Sequence, residues 1–300
     1  MIVPILVRTL TRGAVYALLA SGMTLLFGVA HIVNLAHTAF FMVASFGVFY
    51  LTSTRISQVA FDGPGWPVLP SIIVTIVAVT GLGLLVYRFL IDRVRQHPQV
   101  VLLITIALAM VFQEIMDFTF EGHARRIRDA FIPGSIEILG ESISYDRLLV
   151  VGVAVAVMIG LWLVLSKTKL GVAIRATAND PEVANLMGIS VSRTMLITMG
   201  IGTGLAALAG VLTAPLWVFH PHVWMGPLTM VLAIVVLGGL GSIKGSLIGA
   251  FIIALVENLV IFLLPNYGYL RMAFAFLFMI IVLSVRPGGL FGTIFEEERL

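Results

Sequence analysis

The sequence contains no cysteine among its 300 residues. Disulfide bonds, thiolate metal sites and thiol catalysis are therefore excluded. Charged residues are also scarce, since they make up 11% of the chain, against about 25% in an ordinary soluble domain. So few charges cannot cover a water-facing surface, and we expect most of the surface to face lipid.

Two binding signatures are absent as well. The nucleotide-binding pattern G-x-x-x-x-G-K-[ST] does not occur in the sequence. The stretch GGLGSIKGS (238–246) contains glycines and a lysine, but its spacing is wrong and no strand precedes it. We therefore expect this chain to bind no nucleotide or other cofactor itself. The net charge is only +3, without the basic block or aromatic platform that nucleic-acid binding requires. No nucleic-acid partner is expected.

Apolar residues, by contrast, make up 60% of the chain, and the mean hydropathy is +1.10. A spanning helix needs roughly 20 apolar residues, which allows about eight passes. The sequence therefore predicts an all-α integral membrane protein, a single transmembrane domain over residues 1–300. The eight apolar segments run approximately over 13–30, 38–52, 70–90, 99–118, 148–166, 193–215, 227–264 and 269–285. No charged n-region or cleavage site accompanies the first segment, so we expect it to be retained as a span.

Two hydrophobic runs are interrupted. HIVNLAH (31–37) alone separates the first two segments, and GGLGSIKG (238–245) breaks the seventh. Backbone that leaves the helix at membrane depth is buried in protein or lines a watery cavity. Interrupted segments in matching positions of two halves are typical of a transport route. We therefore predict two broken or re-entrant helices.

Polar side chains lie at the first interruption. They are His31, Asn34, His37 and Thr38. Asn34 and His37 are three residues apart and would share one face of a helix. Such groups either form hydrogen bonds between helices or line a translocation pathway, and both interpretations remain open. Two spaced histidines provide too few ligands for a metal site.

Carboxylates within apolar segments form a second group of candidates. Glu114 follows Gln113, and Glu257 precedes Asn258. A carboxylate in the bilayer core is costly and normally faces protein or water. Glu114, Glu257 and Asn258 are therefore candidates for a polar seam or the translocation pathway. A proton relay is the alternative role for such groups.

Glycines recur at four-residue spacing in the second half of the chain. One ladder is Gly200 and Gly204, and the other is Gly241, Gly245 and Gly249. This spacing allows two helix backbones to approach closely. We assign these five glycines to helix packing.

The stretch TANDPEVANLMGIS (177–190) has the pattern of a short, capped helix. Asp180 suits the N-cap, Pro181 suits the first helical position, and Glu182 complements the helix dipole. Gly188 suits the left-handed residue that follows a helix. The sequence therefore predicts a rigid helix of about two turns.

One face of this short helix is apolar. Val183, Leu186 and Met187 fall on it by their three- and four-residue spacing. About two turns of helix are not stable alone in water. We therefore expect the helix to dock, either on the ends of its own spans or on another protein.

Three polar stretches fix which loops share a side of the membrane. Stretches 87–99 and 166–193 lie on one side because two spans separate them, and 121–147 lies on the other. With this pair, the turn at Lys244 and the C-terminus placed inside, ten of the 18 lysines and arginines are inside and eight are outside. The positive-inside rule does not decide the orientation on this margin.

Four stretches occur in order along the chain, namely GMTLLFGVAHIVNLAHTAFFMVASF (22–46), IRATANDPEVANLMGISVSR (174–193), VLGGLGSIKGSLIGAFIIALVENL (236–259) and RPGGLFG (286–292). They resemble the permease subunit of branched-chain amino acid ABC importers, the LivH-type family. Together they extend over nearly the whole chain. Thr38 is a departure, since the family commonly has Gly at this position.

The resemblance implies a non-enzymatic, multi-pass permease of the bacterial cytoplasmic (inner) membrane. It would import branched-chain amino acids or similar small polar solutes by alternating access. Its partners would be a second permease subunit, two ATP-binding subunits that hold ATP and Mg, and a periplasmic solute-binding protein. Residues 166–193 would form the cytoplasmic coupling loop and 119–147 a periplasmic loop. An ion-coupled secondary carrier is the alternative.

Overall fold

The computed structural model of the chain describes residues 2–30, 33–52, 68–127, 131–138 and 141–291. Its architecture is helical. The helices are α1 (Ile2–Ala30), α2 (His37–Thr52), α3 (Val68–Val86), α4 (Pro98–Phe120), α5 (Tyr145–Lys167), α6 (Lys169–Asn179), α7 (Pro181–Leu186), α8 (Val191–Thr213), α9 (Met225–Gly238), α10 (Ile243–Leu263) and α11 (Arg271–Val285).

Shorter elements complete the fold. Helix α3 continues through a π-helical turn, Tyr87–Ile91, into one further α turn, Asp92–Val94, and a 3-10 turn, Pro265–Leu270, precedes α11. Strands β1 (Ser135–Ile138) and β2 (Glu141–Ser144) form an antiparallel hairpin between α4 and α5.

The all-α membrane class is confirmed. Within the described residues, seven helices are long and apolar enough to cross a membrane. They are Val3–Ala30, Val68–Val94, Pro98–Phe120, Tyr145–Lys167, Val191–Thr213, Ile243–Leu263 and Pro265–Val285. Helices α2 and α9 are also apolar but shorter.

Helix α1 is the central element. In its most apolar window 83% of residues are buried, against 6% in the span that contains α11. Its main partner is α10, which runs antiparallel to it. Thr24 Oγ1 lies 2.6 Å from Ser246 Oγ, and Gly28 approaches Gly241. The last helix therefore has a surface suited to lipid, while α1 forms the core.

The first interruption separates α1 from α2, and His31 lies outside the described residues. Asn34 Oδ1 accepts a hydrogen bond from the Ala36 amide at 3.0 Å, which stabilises the turn before α2. His37 Nε2 lies 3.0 Å from the Leu19 carbonyl oxygen. Helix α2 therefore begins beside the middle of α1.

The second interruption is a tight turn between α9 and α10, which pack closely side by side. Helix α9 has 14 residues and α2 has 16, or roughly 21 and 24 Å at 1.5 Å per residue. Both are shorter than the roughly 30 Å hydrocarbon core. The chain therefore leaves helix at both predicted places, and a broken or re-entrant path through the membrane stays a prediction.

Candidate functional site

A cluster of charged and polar groups surrounds Glu257, which is fully buried on α10. Its Oε2 accepts a hydrogen bond from the Tyr16 hydroxyl at 2.9 Å. Arg12 Nη1 lies 3.5 Å from Oε2, and Arg271 Nε lies 3.7 Å from Oε1. The carboxylate therefore ties α10 to α1 on one side and to α11 on the other.

The cluster has the chemistry of a structural seam. A buried carboxylate is tolerated when cations and hydrogen-bond donors surround it, and here two arginines and a tyrosine do so. Arg12 also lies 6.0 Å from the centre of the Trp217 ring, within cation–π range. Neither arginine was predicted as a site residue, although Arg12 stands out as a charge near an apolar segment.

Asn258 extends the seam along the same helix. Its Nδ2 donates to Thr9 Oγ1 at 3.3 Å and to the Ala254 carbonyl at 2.8 Å. Glu257 and Asn258 are thus brought together on the α1 interface. These direct contacts support their predicted place in a polar seam. A role in the translocation pathway stays a prediction.

Glu114 lies elsewhere. It is exposed on the surface of α4, and its neighbour Gln113 is the residue that points inward. Gln113 Oε1 accepts a hydrogen bond from the Trp224 indole nitrogen at 2.9 Å, and its Nε2 lies 3.4 Å from Glu114 Oε1. Glu114 and Glu257 were predicted as one group, but Glu257 is buried and Glu114 is exposed.

The described polar residues of the first interruption are buried, namely Asn34, His37 and Thr38. Asn34 borders a cavity of about 30 Å³, close to the space of one water molecule, beside Tyr87 and Met199. His37 faces the backbone of α1 and lies against Gly22. Asn34 therefore lies between α1, α8 and the π-helical end of α3, and His37 packs on α1. Thr38 is buried in the first turn of α2.

The short capped helix is present as α7. Asp180 Oδ1 accepts hydrogen bonds from the amides of Glu182 at 2.8 Å and Val183 at 3.0 Å. Pro181 occupies its first position. Gly188 has the left-handed φ of +82°, and it follows the helix as the C-cap pattern requires. The predicted caps therefore hold both ends of the helix.

The apolar face of α7 is not covered by the described part of this chain. Leu186 is 85% exposed, Met187 is 78% exposed, and Val183 is also exposed. Ala184, on another side of the helix, is 3% exposed, and α7 packs against α6 and α8. Of the two docking partners expected from sequence, the helix's own spans therefore do not receive this face.

Removing the N-cap tests the rigidity of α7. We expect Asp180→Ala to weaken the helix by about 1 kcal/mol, because two amides lose their acceptor. Hydrogen exchange of the amides in 181–186 should then become about fivefold faster. Asn185→Ala is the matched control, since that exposed side chain caps nothing, and equal exchange in both variants would contradict the capping role.

The chain as a whole has relatives among known proteins. The family model described as the permease component of the branched-chain amino acid transport system matches residues 5–283. The chain belongs to this permease family. Because the match covers nearly every helix, it applies to the fold as a whole and not to one motif.

Curated relatives agree with this assignment. The permease is 30% identical over 296 residues to the high-affinity branched-chain amino acid transport permease BraD of Pseudomonas aeruginosa, a match that covers 96% of this chain and 94% of BraD. It is 29% identical to LivH of Escherichia coli, over 94% and 92% of the two chains. The chain is therefore a non-enzymatic, multi-pass permease of the bacterial inner membrane.

One solved structure shares the fold. PsaBC from Streptococcus pneumoniae, determined in complex with a Fab, matches with a TM-score of 0.51 at 13% identity. The match covers 95% of the permease and 92% of that chain. At this identity the likeness concerns the helical arrangement alone.

The glycine ladders of the permease divide into different roles. A methyl group on Gly245 would collide with the Gly238 carbonyl, and one on Gly249 would lie 3.2 Å from the Ile234 carbonyl oxygen. Gly200 and Gly204 meet only side chains. Gly241 has a φ of +82° in the turn before α10, so its backbone conformation requires glycine.

Two further contacts of the permease had no sequence prediction. The RPGGLFG stretch returns to the end of α9, where the amides of Leu290 and Phe291 donate to the carbonyls of Leu237 at 2.8 Å and Gly238 at 3.1 Å. At the π-helical end of α3, the Asp92 carboxylate accepts from Ser192 Oγ at 3.3 Å. Ser192 lies in α8 directly after the α7 loop, so Asp92 connects that loop to α3.

Proposed function

We propose that the chain is the membrane subunit of an ATP-driven importer of branched-chain amino acids or similar small polar solutes. BraD and LivH carry branched-chain amino acids in their names, which supports this substrate class. The exposed apolar face of α7, and Leu186 in particular, is the observation that supports ATP as the energy source. A capped helix with an uncovered apolar face is suited to dock into another protein.

The partners are those that the permease family implies. The permease works with a second permease subunit, two ATP-binding subunits that hold ATP and Mg, and a periplasmic solute-binding protein. In this arrangement 166–193 is the cytoplasmic coupling loop and 119–147 is periplasmic. The β1–β2 hairpin then belongs to the surface that faces the solute-binding protein.

The coupling route runs from α7 into the spans. Helix α8 begins three residues after Gly188, and Ser192 ties its first turn to Asp92 at the end of α3. Helix α6 precedes α7 and packs against α1. Movement of α7 with the ATPases is therefore passed to α1, α3 and α8, which alternately opens the two sides.

The pathway is assigned to the first interruption. His37 Nδ1 and Thr38 Oγ1 are buried without a hydrogen-bond partner among the described residues, and buried polar atoms cost free energy when unpaired. A polar solute passing between α1, α2 and α8 offers such a partner. Asn34 lies on the same route. Glu257 is already engaged by Arg12 and Arg271, so it does not favour an ion-coupled carrier.

Single cysteines test the coupling helix in this cysteine-free chain. We expect Leu186→Cys to crosslink to the ATP-binding subunit, because its side chain is almost fully exposed on the docking face. Ala184→Cys is the matched control on the buried face of the same helix and should crosslink at least about tenfold less. Val218→Cys, exposed on the opposite loop, should react only with periplasmic reagents. Labelling of residue 186 by those reagents would overturn the topology.

A further inference from the structure

A groove of about 600 Å³ lies between α1, α5, α6 and the start of α10. It is separate from the Glu257 seam, from the polar residues of the first interruption and from the exposed face of α7. Its walls come mainly from Leu161, Trp162, Leu247 and Ile248. Trp162 is itself 53% exposed, so the groove opens sideways from the helix bundle, where the bilayer lies.

The groove has a polar end and an apolar end. Ser166 in the last turn of α5, Arg175 on α6, and Ser242 and Lys244 at the start of α10 form the polar end. The apolar wall extends back along α5 as far as Met158, roughly 12 Å from Ser166 at 1.5 Å per residue. A ligand that matches this shape has a polar group at one end and a long apolar part.

The polar end is cationic. Arg175 and Lys244 are both exposed, and neither forms an ion pair with any residue that the structure describes. Arg175 Nη1 donates to the Leu165 carbonyl, which holds the guanidinium at the edge of the groove. The described lining includes no carboxylate. The group bound here is therefore an anion.

We propose that this groove binds one anionic phospholipid, with its phosphate between Arg175 and Lys244 and an acyl chain along Leu161, Trp162 and Leu247. Basic pockets between spanning helices at the membrane boundary suit such head groups. Two unpaired cations above an apolar wall select an anionic lipid over a zwitterionic one. The proposal depends neither on the energy source nor on the transported solute.

Lipid retention tests the charge selection. The full permease, purified with its transporter partners, is reconstituted in nanodiscs of phosphatidylglycerol and phosphatidylcholine in equal parts, extracted in detergent and examined by native mass spectrometry. We expect phosphatidylglycerol to be retained preferentially. Retention should fall at least about tenfold in R175Q/K244Q. The matched control K167Q/K169Q removes two exposed charges from the same end of the protein but outside the groove, and it should retain the lipid.

A groove-filling variant tests the apolar wall separately. Ile248→Trp leaves both cations in place but occupies the groove, so we expect it also to lower phosphatidylglycerol retention. Leu255→Trp, on an exposed position of the same helix outside the groove, should have no effect. Equal retention in all four variants and the parent would overturn the proposal.

Two other occupants give distinct results. Residues 292–300 follow Phe291 at the groove and include three glutamates, 296–298. If phosphatidylglycerol is retained only after deletion of 292–300, that segment occupies the groove and the proposal is wrong. Crosslinking of Ile248→Cys to the second permease subunit would overturn it equally. The lipid-retention outcomes are independent of the proposed function because no transport is measured, whereas the crosslinking outcome rests on the proposed second permease subunit.

Discussion

The Glu257→Gln variant is expected to be strongly destabilised. The carboxylate is buried between Arg12 and Arg271, and glutamine supplies no negative charge to either. Breaking a buried ion pair costs about 3–5 kcal/mol. The Arg271 side chain is 39% exposed and Arg12 is 20% exposed, so water recovers part of this loss. We expect about 3 kcal/mol, measured as a lower midpoint of thermal unfolding in detergent.

Two comparisons identify the cause of the Glu257→Gln effect. Glu114→Gln makes the same chemical change at an exposed position of another spanning helix, and it should leave the midpoint nearly unchanged. Adding Arg271→Gln to Glu257→Gln removes one of the orphaned cations, so part of the lost stability should return. If Glu257→Gln is as stable as Glu114→Gln, the seam is not structural. Uptake that persists and loses only its pH dependence would instead indicate a proton role.

The seam also explains why the first helix was predicted too short. The first apolar segment predicted from sequence begins at residue 13, while α1 begins at Ile2. Arg8 and Arg12 interrupt the apolar pattern, but Arg12 pairs with Glu257, and Arg8 lies 5.4 Å from the centre of the Phe262 ring. Partners that are more than 240 residues away allow charged residues inside the helix, and local periodicity does not contain that information.

Sequence patterns predicted structure best where the interacting residues are close together in the chain. The caps of α7 depend on residues within one loop, and Asp180 and Gly188 have the predicted positions. The β1–β2 hairpin was missed although Ser135–Ile138 alternates polar and apolar residues, because each strand has only four residues. The glycine spacing predicted close packing, and Gly245 lies against the Gly238 carbonyl. The spacing could not separate this position from the turn residue Gly241, since spacing does not report φ.

Gly245→Val is expected to have the largest packing effect in the permease. A side chain at this position would collide with the Gly238 carbonyl and the backbone around it. Backbone cannot rotate away as a side chain does, so α9 and α10 must separate. Overpacking costs about 1–3 kcal/mol and more where backbone must shift. We expect little folded permease in the membrane, measured as a loss of the monodisperse peak in fluorescence-detected size exclusion.

The same displacement reaches the end of the chain. Leu290 and Phe291 donate to the carbonyls of Leu237 and Gly238, so a shifted α9 also loses these bonds. Protease cleavage near residue 289 should therefore become faster in the less disruptive Gly245→Ala. Gly152→Val is the control, because a Cβ atom added there meets nothing within 4 Å, and it should accumulate like the parent. Equal accumulation of Gly245→Val and Gly152→Val would mean that α9 and α10 do not require contact at this point.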